Sequence, residues 1–236
     1  LLVERGLCDS REKAQRMILA GDVRVKGQVV FKPAQSTSVE ADITLAAPDR
    51  FVSRGGWKLE HALQTFPCAL QGRVAADIGA STGGFTDCLL QHGARKVIAI
   101  DVGHGQLAWS LRNDPRVIIR DQINARFLTP EQVGERVDVV TIDVSFISLV
   151  LVLPPACSIL KAGGWLIALI KPQFEVGRDK VGRGGVVRDE RFRLEAVEKI
   201  RNFADTRLSL ILQGIAPSPI LGPAGNQEFL GVWTRP

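Results

Sequence analysis

Short apolar runs separated by polar, helix-periodic stretches fill the chain from Val74 onward. Runs at 74–78, 96–100, 117–120, 137–142, 164–169, 208–216 and 227–234 read as strands. The stretches 84–91, 105–112, 148–160 and 189–204 read as helices, as does Gly55 to Phe66. Strands alternating with helices predict an α/β class, with a Rossmann-like, seven-stranded, mostly parallel sheet covered on both faces. The first fifth of the chain has a different rhythm. Residues 1–20 read as two short helices broken near Gly6 to Ser10, with Ser10 capping the second and Leu7, Ala14, Met17 and Ile18 on its apolar face. Alternation then predicts strands at Val23 to Val25 and Val29 to Phe31, joined by a Lys26-Gly27 turn, and another at Ile43 to Leu45.

These patterns predict a small α+β domain over 1–47, a linker over 48–54 centred on Pro48-Asp49-Arg50, and a larger domain over 55–236. The small unit is near the lower limit of size for independent folding. The chain opens Leu-Leu-Val-Glu-Arg-Gly, without methionine and already in helical register, so a few further N-terminal residues are expected.

In an α/β sheet, ligands bind beyond the carboxyl ends of the strands. Asp77-Gly79, Asp101, Asp121, Asp143 and Lys171 all follow predicted strand ends, which concentrates polar groups on one edge. The run DIGASTGGFTD, Asp77 to Asp87, joins a strand to a helix through glycines at 79, 83 and 84. Taken alone, such a loop is a weak signal, and its plain alternative is a tight strand-to-helix turn. A dinucleotide fold favours GxGxxG spacing with a pyrophosphate at the helix N-terminus. Here the spacing is Gly79-x-x-x-Gly83-Gly84 and acids crowd the edge, which suits a cationic, phosphate-free nucleoside better. S-adenosylmethionine is such a ligand. Asp101 lies where a carboxylate accepts ribose hydroxyls, and Asp77 where it would meet an amine.

Composition narrows the class further. With 45% hydrophobic and 23% charged residues, the chain is of ordinary globular type. Its longest apolar stretch, Leu149 to Leu160, holds Pro154 and Pro155 and is too short to span a bilayer, and no signal peptide is evident, so a cytoplasmic location is expected. Cys8, Cys68, Cys88 and Cys157 lack metal or redox spacing and read as reduced thiols. His61, His92 and His104 show no ligand spacing, so no metal is expected. Net charge is +5 and pI about 9.3. The basic excess gathers in residues 11–32, where Arg11, Lys13, Arg16 and Lys32 are candidates for gripping phosphates, with Arg54 beyond the linker. The glycine-rich, basic segment 176–190, just after Lys171, reads as a loop that could close over a polyanion. Trp109, Trp165 and Trp233 read as core or pocket walls, and Trp57 as a possible base-stacking surface.

The segments SRGGWKLEHAL, DIGASTGGFTD, DVGHGQLAWSLRNDPRV, TIDVSFISL, IKPQFEVG and GPAGNQEF occur in that order. Together they resemble the TlyA family of ribosomal RNA 2′-O-methyltransferases, which carry an FtsJ-like methyltransferase domain and some of which bear the name haemolysin. The segment RGLCDSREKAQRMILAGDVRVKGQVVFKP is similar to the small RNA-binding domain of a small-subunit ribosomal protein and of many pseudouridine synthases. The resemblance spans nearly the whole chain. It implies a class I methyltransferase sheet, S-adenosylmethionine as donor, and a cytidine ribose hydroxyl of 16S or 23S ribosomal RNA as acceptor. It also implies a catalytic tetrad at Lys58, Asp143, Lys171 and Glu228. Cofactor contacts are implied at Asp77, Gly79, Ala80, Ser81, Gly83, Gly84, Phe85, Asp101, Val102, Asp121 and Asn124. Trp57 and His104 depart from the family pattern, where histidine and tyrosine are common. Two other readings stand beside this one: an RNA-binding ribosome assembly factor without catalysis, and a membrane-lytic protein, for which no amphipathic or spanning helix is visible.

Overall fold

The structure is a computed structural model that describes residues 1–45 and 49–236. The end of the expected small domain (residues 46 and 47) and Pro48 of the expected linker lie outside the described residues. The chain divides into two compact units, Leu1–Arg50 and Phe51–Pro236.

In the smaller unit helix α1 (Arg11–Ala20) is entered at Ser10, whose Oγ accepts the Lys13 N–H at 3.2 Å. It ends at Gly21, in the left-handed region at φ +83. The expected first helix is only a hydrogen-bonded turn, closed by the Arg5 N–H on the Leu1 carbonyl at 2.9 Å. Gly6 at φ +68 turns the chain away before a second turn can offset the cost of nucleation. Strands β1 (Val23–Val25), β2 (Gln28–Val29) and β3 (Ile43–Leu45) form an antiparallel sheet in the order β2-β1-β3. Lys26 and Gly27, at φ +50 and +79, make the tight turn between β1 and β2. The core is small: Leu2, Cys8, Ala14 and Val23, flanked by Leu7, Met17, Ile18, Ile43 and Leu45.

The larger unit begins with α2 (Gly55–Thr65), β4 (Val74–Ile78), α3 (Gly84–Gln91), β5 (Lys96–Ile100), α4 (Trp109–Arg112), β6 (Val117–Arg120), α5 (Pro130–Val133) and β7 (Val137–Ile142). It continues with α6 (Leu149–Ile159), β8 (Leu160–Ile170), α7 (Pro172–Glu175), α8 (Glu190–Leu208), β9 (Ile211–Pro217) and β10 (Phe229–Thr234). Its sheet runs β6-β5-β4-β7-β8-β10-β9. The pairs among β4 to β8 are parallel, while β10 runs antiparallel to both neighbours. The chain winds outward from β4 to β6, then returns to β7 on the other side of β4. That reversal is the topological switch point at which open α/β sheets place their ligands.

Alternate strand residues face opposite layers, as pleating requires. Val74, Ala76 and Ile78 enter one core with Ile98, Ile142, Leu153, Ile200 and Trp233. Ala75, Val97, Val139 and Ile167 enter the other, with Leu59 and Leu89. Several boundaries differ from the sequence expectation, among them the start of β8, expected at 164 and found at Leu160. The helix expected over 105–112 shrinks to α4, because Gly105 takes φ +68 and its N–H bonds Asp121 Oδ2 at 2.8 Å. Helix α8 runs on to Leu208, since the buried spacing Ala196, Ile200, Ala204 continues helical, and β9 therefore starts at Ile211. Residues 51–54, expected in the linker, fold with the larger unit, where Phe51 is 2% exposed.

Phe51 lies against Gly56 at the start of α2, where a Cβ would come within 2.2 Å of the ring. Gly56→Ala should therefore destabilise the larger unit by about 1–3 kcal/mol, the usual cost of overpacking, read as a lower urea midpoint.

Candidate active site

Parallel pairing of Ile78 with Ile142 brings the ends of β4 and β7 side by side. The Asp143 N–H then bonds the Ile78 carbonyl at 2.9 Å. Gly79, at φ +84, passes so close that a Cβ there would lie 2.4 Å from the Asp143 carbonyl oxygen. Only glycine meets both conditions. Gly83, at φ +97, is equally constrained, but by packing: a Cβ would strike Leu111 at 2.3 Å. Between them Ser81 holds φ +48 and gives its N–H to Asp101 Oδ2 at 2.8 Å. Asp101 Oδ1 accepts the Gly103 N–H at 2.7 Å. The β5 carboxylate thus braces the glycine loop, and its remaining lone pairs stay available to hydroxyls.

Loop residues Gly79 to Thr82, with Gly84 and Phe85, line a cavity of about 180 Å³ together with Ser53, Asp143, Ser145 and Lys171. Lys171 Nζ lies 2.6 Å from Asp143 Oδ1 and donates to Ser145 Oγ at 3.0 Å. The aspartate contact is ionic rather than a well-aligned hydrogen bond. A second pair sits deeper: Lys58 Nζ of α2 donates to Glu228 Oε2 at 2.5 Å, across 170 residues of sequence, with both side chains buried. Its other oxygen, Glu228 Oε1, has no hydrogen-bond partner. The four residues of the expected tetrad thus form two lysine–carboxylate pairs. The Asp143–Lys171 pair lines the cavity, and Lys58 and Glu228 lie outside its lining.

Several expected cofactor residues have other duties. Asp77 is fully buried and does not reach the cavity. Thr86 Oγ1 donates to its Oδ2 at 2.7 Å and Thr141 Oγ1 to its Oδ1 at 3.0 Å, so it fastens α3 and β7 to β4 instead of facing an amine. Burial pushes its carboxyl up to about 7, with the Asp143 charge adding to the rise and the threonine bonds opposing it. Asp121 accepts the Gly105 N–H and lies 3.1 Å from His104 Nδ1, facing the glycine-rich turn after β5. Asn124 caps a single 3-10 turn by accepting the Arg126 N–H at 3.0 Å. Val102 is 69% exposed beside Asp101.

Three residues escaped the sequence reading. Phe146 is 92% exposed, sits at φ +64, and meets Phe174 with ring centroids 5.2 Å apart. A bulky residue held in the left-handed region and exposed, three residues after Asp143, is energetically costly. Ser145 completes the Lys171 environment. Glu175, buried, accepts the Leu149 N–H at 2.7 Å and the Ser148 hydroxyl at 2.6 Å, and pairs with Lys199 at 3.1 Å. It therefore caps α6 with a negative charge and ties the loop after Asp143 to the turn after Lys171. The aromatic–serine signal in TIDVSFISL was available, but exposure and φ are not legible in sequence. Trp109, expected as a wall, is 79% exposed, whereas Trp233 is fully buried and Trp165 half-buried. Trp57 is 38% exposed and packs edge-on against Phe51 at 5.2 Å.

Arg11, Lys13, Arg16 and Lys32 are exposed in the smaller unit, with Lys13 paired to Asp9 at 2.7 Å, and Arg54 is exposed in the larger. Among the described residues, Glu60, Cys88 and His92 place ligand atoms within 4.8 Å of one another. Glu60 accepts there from Gln64 at 2.9 Å and meets His92 Nε2 at 2.5 Å, a hydrogen-bonded network between α2 and α3. Spacing along the sequence could not reveal it, because Glu60 arrives from another helix. All four cysteines are free, and burial raises the Cys68 and Cys157 thiols to about 12 and 11.

Residues 51–235 match the FtsJ-like methyltransferase family and residues 1–41 the S4 domain. The chain belongs to the FtsJ-like methyltransferase family. It is an S-adenosylmethionine-dependent methyltransferase with an appended S4 domain. It is 48% identical over 236 residues to the 16S/23S rRNA (cytidine-2′-O)-methyltransferase TlyA of Mycobacterium tuberculosis, covering 99% of this chain and 87% of that protein. It is 42% identical over 231 residues to hemolysin A of Brachyspira hyodysenteriae, covering 95% and 94%. A solved structure from Streptococcus thermophilus, provisionally called a hemolysin, is similar with a TM-score of 0.79 at 41% identity, covering 99% of this chain and 86% of that one. The TlyA resemblance read from the motifs is therefore borne out over the full chain.

The Asp77 carboxyl generates a pH prediction. Its folded value near 7 exceeds the ordinary value of 3.8. Its stabilising contribution is fully present below pH about 4 and is lost as pH rises through about 7. Asp77→Asn, which keeps an acceptor for one threonine, should raise the melting temperature at pH 8 relative to wild type and leave it nearly unchanged at pH 4.5, measured by calorimetry.

Proposed function

We propose that this chain methylates the 2′-hydroxyl of a cytidine in 16S or 23S ribosomal RNA, in the cytoplasm, with the S4 domain gripping the RNA backbone through Arg11, Lys13, Arg16 and Lys32. Arg54 would add a phosphate contact near α2. The observation that carries this reading is the Asp143–Lys171 pair opening into the same cavity as the glycine loop, at the switch point of the sheet. The 48% identity to TlyA supports the acceptor.

The residues present fit the cofactor. The glycine loop offers backbone rather than cations, as a phosphate-free ligand requires, and Asp101 braces the loop while retaining acceptor capacity. Gly79 to Phe85, Asp101 and Val102 would hold it, with Asp121 and Asn124 at the far side. Bound there, S-adenosylmethionine supplies an electrophilic methyl group on a cationic sulfur. The protein must align the ribose and receive its proton. Asp143 fixes Lys171, and Ser145 limits the directions in which Nζ can point. Lys171, whose ammonium pairs with Asp143, must first pass a proton to solvent and then takes the hydroxyl proton. Asp143 then stabilises the ammonium so formed. Lys58 and Glu228, outside the cavity lining, would orient the ribose and offset developing charge. Phe146, exposed beside Asp143, offers a face on which the acceptor base stacks.

Lys171→Ala should abolish transfer of labelled methyl groups to ribosomal subunits while calorimetric cofactor affinity stays within a few-fold. Turnover unchanged in that variant would remove the mechanism. Phe146→Ala should raise KM for RNA on the order of tenfold, the size of one lost stack, with cofactor affinity unaltered. Among the described residues no helix is long and apolar enough to cross a membrane, and no observation favours a lytic reading.

A further inference from the structure

The basic segment between α7 and α8 is anchored at both ends. Near its start, Lys180 Nζ grips Glu195 of α8 at 2.5 and 2.7 Å. Beyond it, residues 182–187 fold back on themselves: the Gly182 N–H bonds the Val186 carbonyl at 3.0 Å, and Gly184 and Gly185 both take positive φ. This small hairpin is held from below by one side chain. Asn226, 1% exposed, accepts the Val187 N–H on Oδ1 at 2.8 Å and donates from Nδ2 to the Gly185 carbonyl at 2.8 Å. Val187 is buried over the same point.

Asn226 stands two residues before Glu228. Its carbonyl accepts the Gly222 N–H at 2.9 Å, closing a turn over the glutamate. Gly222 rests directly on that carboxylate: a Cβ there would lie 2.4 Å from Glu228 Oε1. One face of this turn therefore carries the hairpin and the other confines the carboxyl group paired with Lys58. The hairpin also follows Lys171 along the chain through α7. Its packed connection is therefore to the Lys58–Glu228 pair, while Arg178, Arg183 and Arg188 have exposed side chains.

We propose that Asn226 is a positioning residue that couples RNA-backbone contact on the 178–188 segment to the placement of Glu228 and Lys58. This rests on the RNA methyltransferase reading. Phosphates meeting Arg183 and Arg188 settle the hairpin onto Asn226, and the turn beneath keeps Glu228 against Lys58. A buried amide making two cross-chain bonds is expensive to leave unsatisfied, so the clip favours one geometry over alternatives.

The test uses the full chain, ribosomal subunits and labelled S-adenosylmethionine. Asn226→Asp keeps the acceptor for Val187 and loses the donor to Gly185, and Asn226→Ala loses both. The expected order for kcat is wild type, then Asp, then Ala, with a loss on the order of tenfold for Ala and cofactor affinity within twofold. Tryptic cleavage within 178–188 of the free protein should accelerate in the reverse order. Arg183→Ala should raise KM for RNA and lower kcat by less than Asn226→Ala does. Unchanged kcat in a folded Asn226→Ala whose hairpin is cut faster overturns the coupling. So does a lowered kcat with hairpin cleavage unchanged. If Asn226→Ala fails to fold, the Asp variant decides by the same two readouts. Wild-type turnover is the control: its absence overturns the functional reading itself, and active wild type with indifferent variants overturns the coupling alone.

Discussion

The contact between Gly79 and the Asp143 carbonyl is the constraint on which the site depends. It exists because β4 and β7 pair in parallel, with Ile78 opposite Ile142. The connection leaving β4 passes through α3 to one layer and that leaving β7 through α6 to the other. Here the chain reverses direction across the sheet and leaves a crevice. A residue larger than glycine at 79 would push Asp143, and Lys171 with it, out of the cavity. The loop's conformation and the position of the reactive groups are consequently one structural fact. The brace from Asp101 to Ser81 acts on the same loop from the β5 side.

The charged groups around the crevice are arranged at some energetic cost. Lys58, Lys171 and Glu228 are buried, and buried ion pairs rarely stabilise a fold against apolar replacements. Glu228 Oε1 lacks a hydrogen-bond partner altogether. The burial is intelligible if the pairs hold lysines in fixed geometry where water is scarce and a sugar hydroxyl must give up its proton. Asp77 illustrates the alternative use of a buried acid. It has both oxygens satisfied by threonines and works as a fastener, and desolvation keeps its proton on well above the ordinary carboxylate range.

Much of this was legible in sequence because it is local or periodic. Short apolar runs between helix-periodic stretches gave the seven strands of the larger sheet, and the Ser10 cap and the Lys26-Gly27 turn gave the small domain's frame. The motif resemblance grouped Lys58, Asp143, Lys171 and Glu228, and the structure forms from them two lysine–carboxylate pairs, of which only Asp143–Lys171 lines the cavity. What escaped depends on long-range packing. Asp77 reads identically whether it faces a ligand or two threonines, and only Thr141, 64 residues away, decides. Exposure of Phe146 and Trp109 follows from loop geometry that no period encodes. The missing first helix was lost to a single glycine's φ, and the long α8 to an apolar spacing that continued past the expected stop.

The distribution of anchors around the second half of the site suggests why the motifs IKPQFEVG and GPAGNQEF extend beyond their lysine and glutamate. Glu175 fixes the loop bearing Ser145 and Phe146 by capping α6, and Asn226 fixes the basic hairpin above Glu228. Each lies within four residues of the catalytic candidate it supports, so the local chain transmits its position with few intervening torsions. Asn226 bonds only the backbone of the segment it holds, so substitutions along the hairpin leave that anchor intact, whereas Glu175 also accepts the Ser148 hydroxyl, which makes Ser148 part of the other anchor. A loop free to vary its exposed residues while its backbone stays clipped can adapt to an RNA surface without disturbing the site. That division, with variable side chains outside and fixed amides beneath, requires the buried anchor to be a residue with both donor and acceptor at the hairpin, and a charged acceptor at the helix N-terminus.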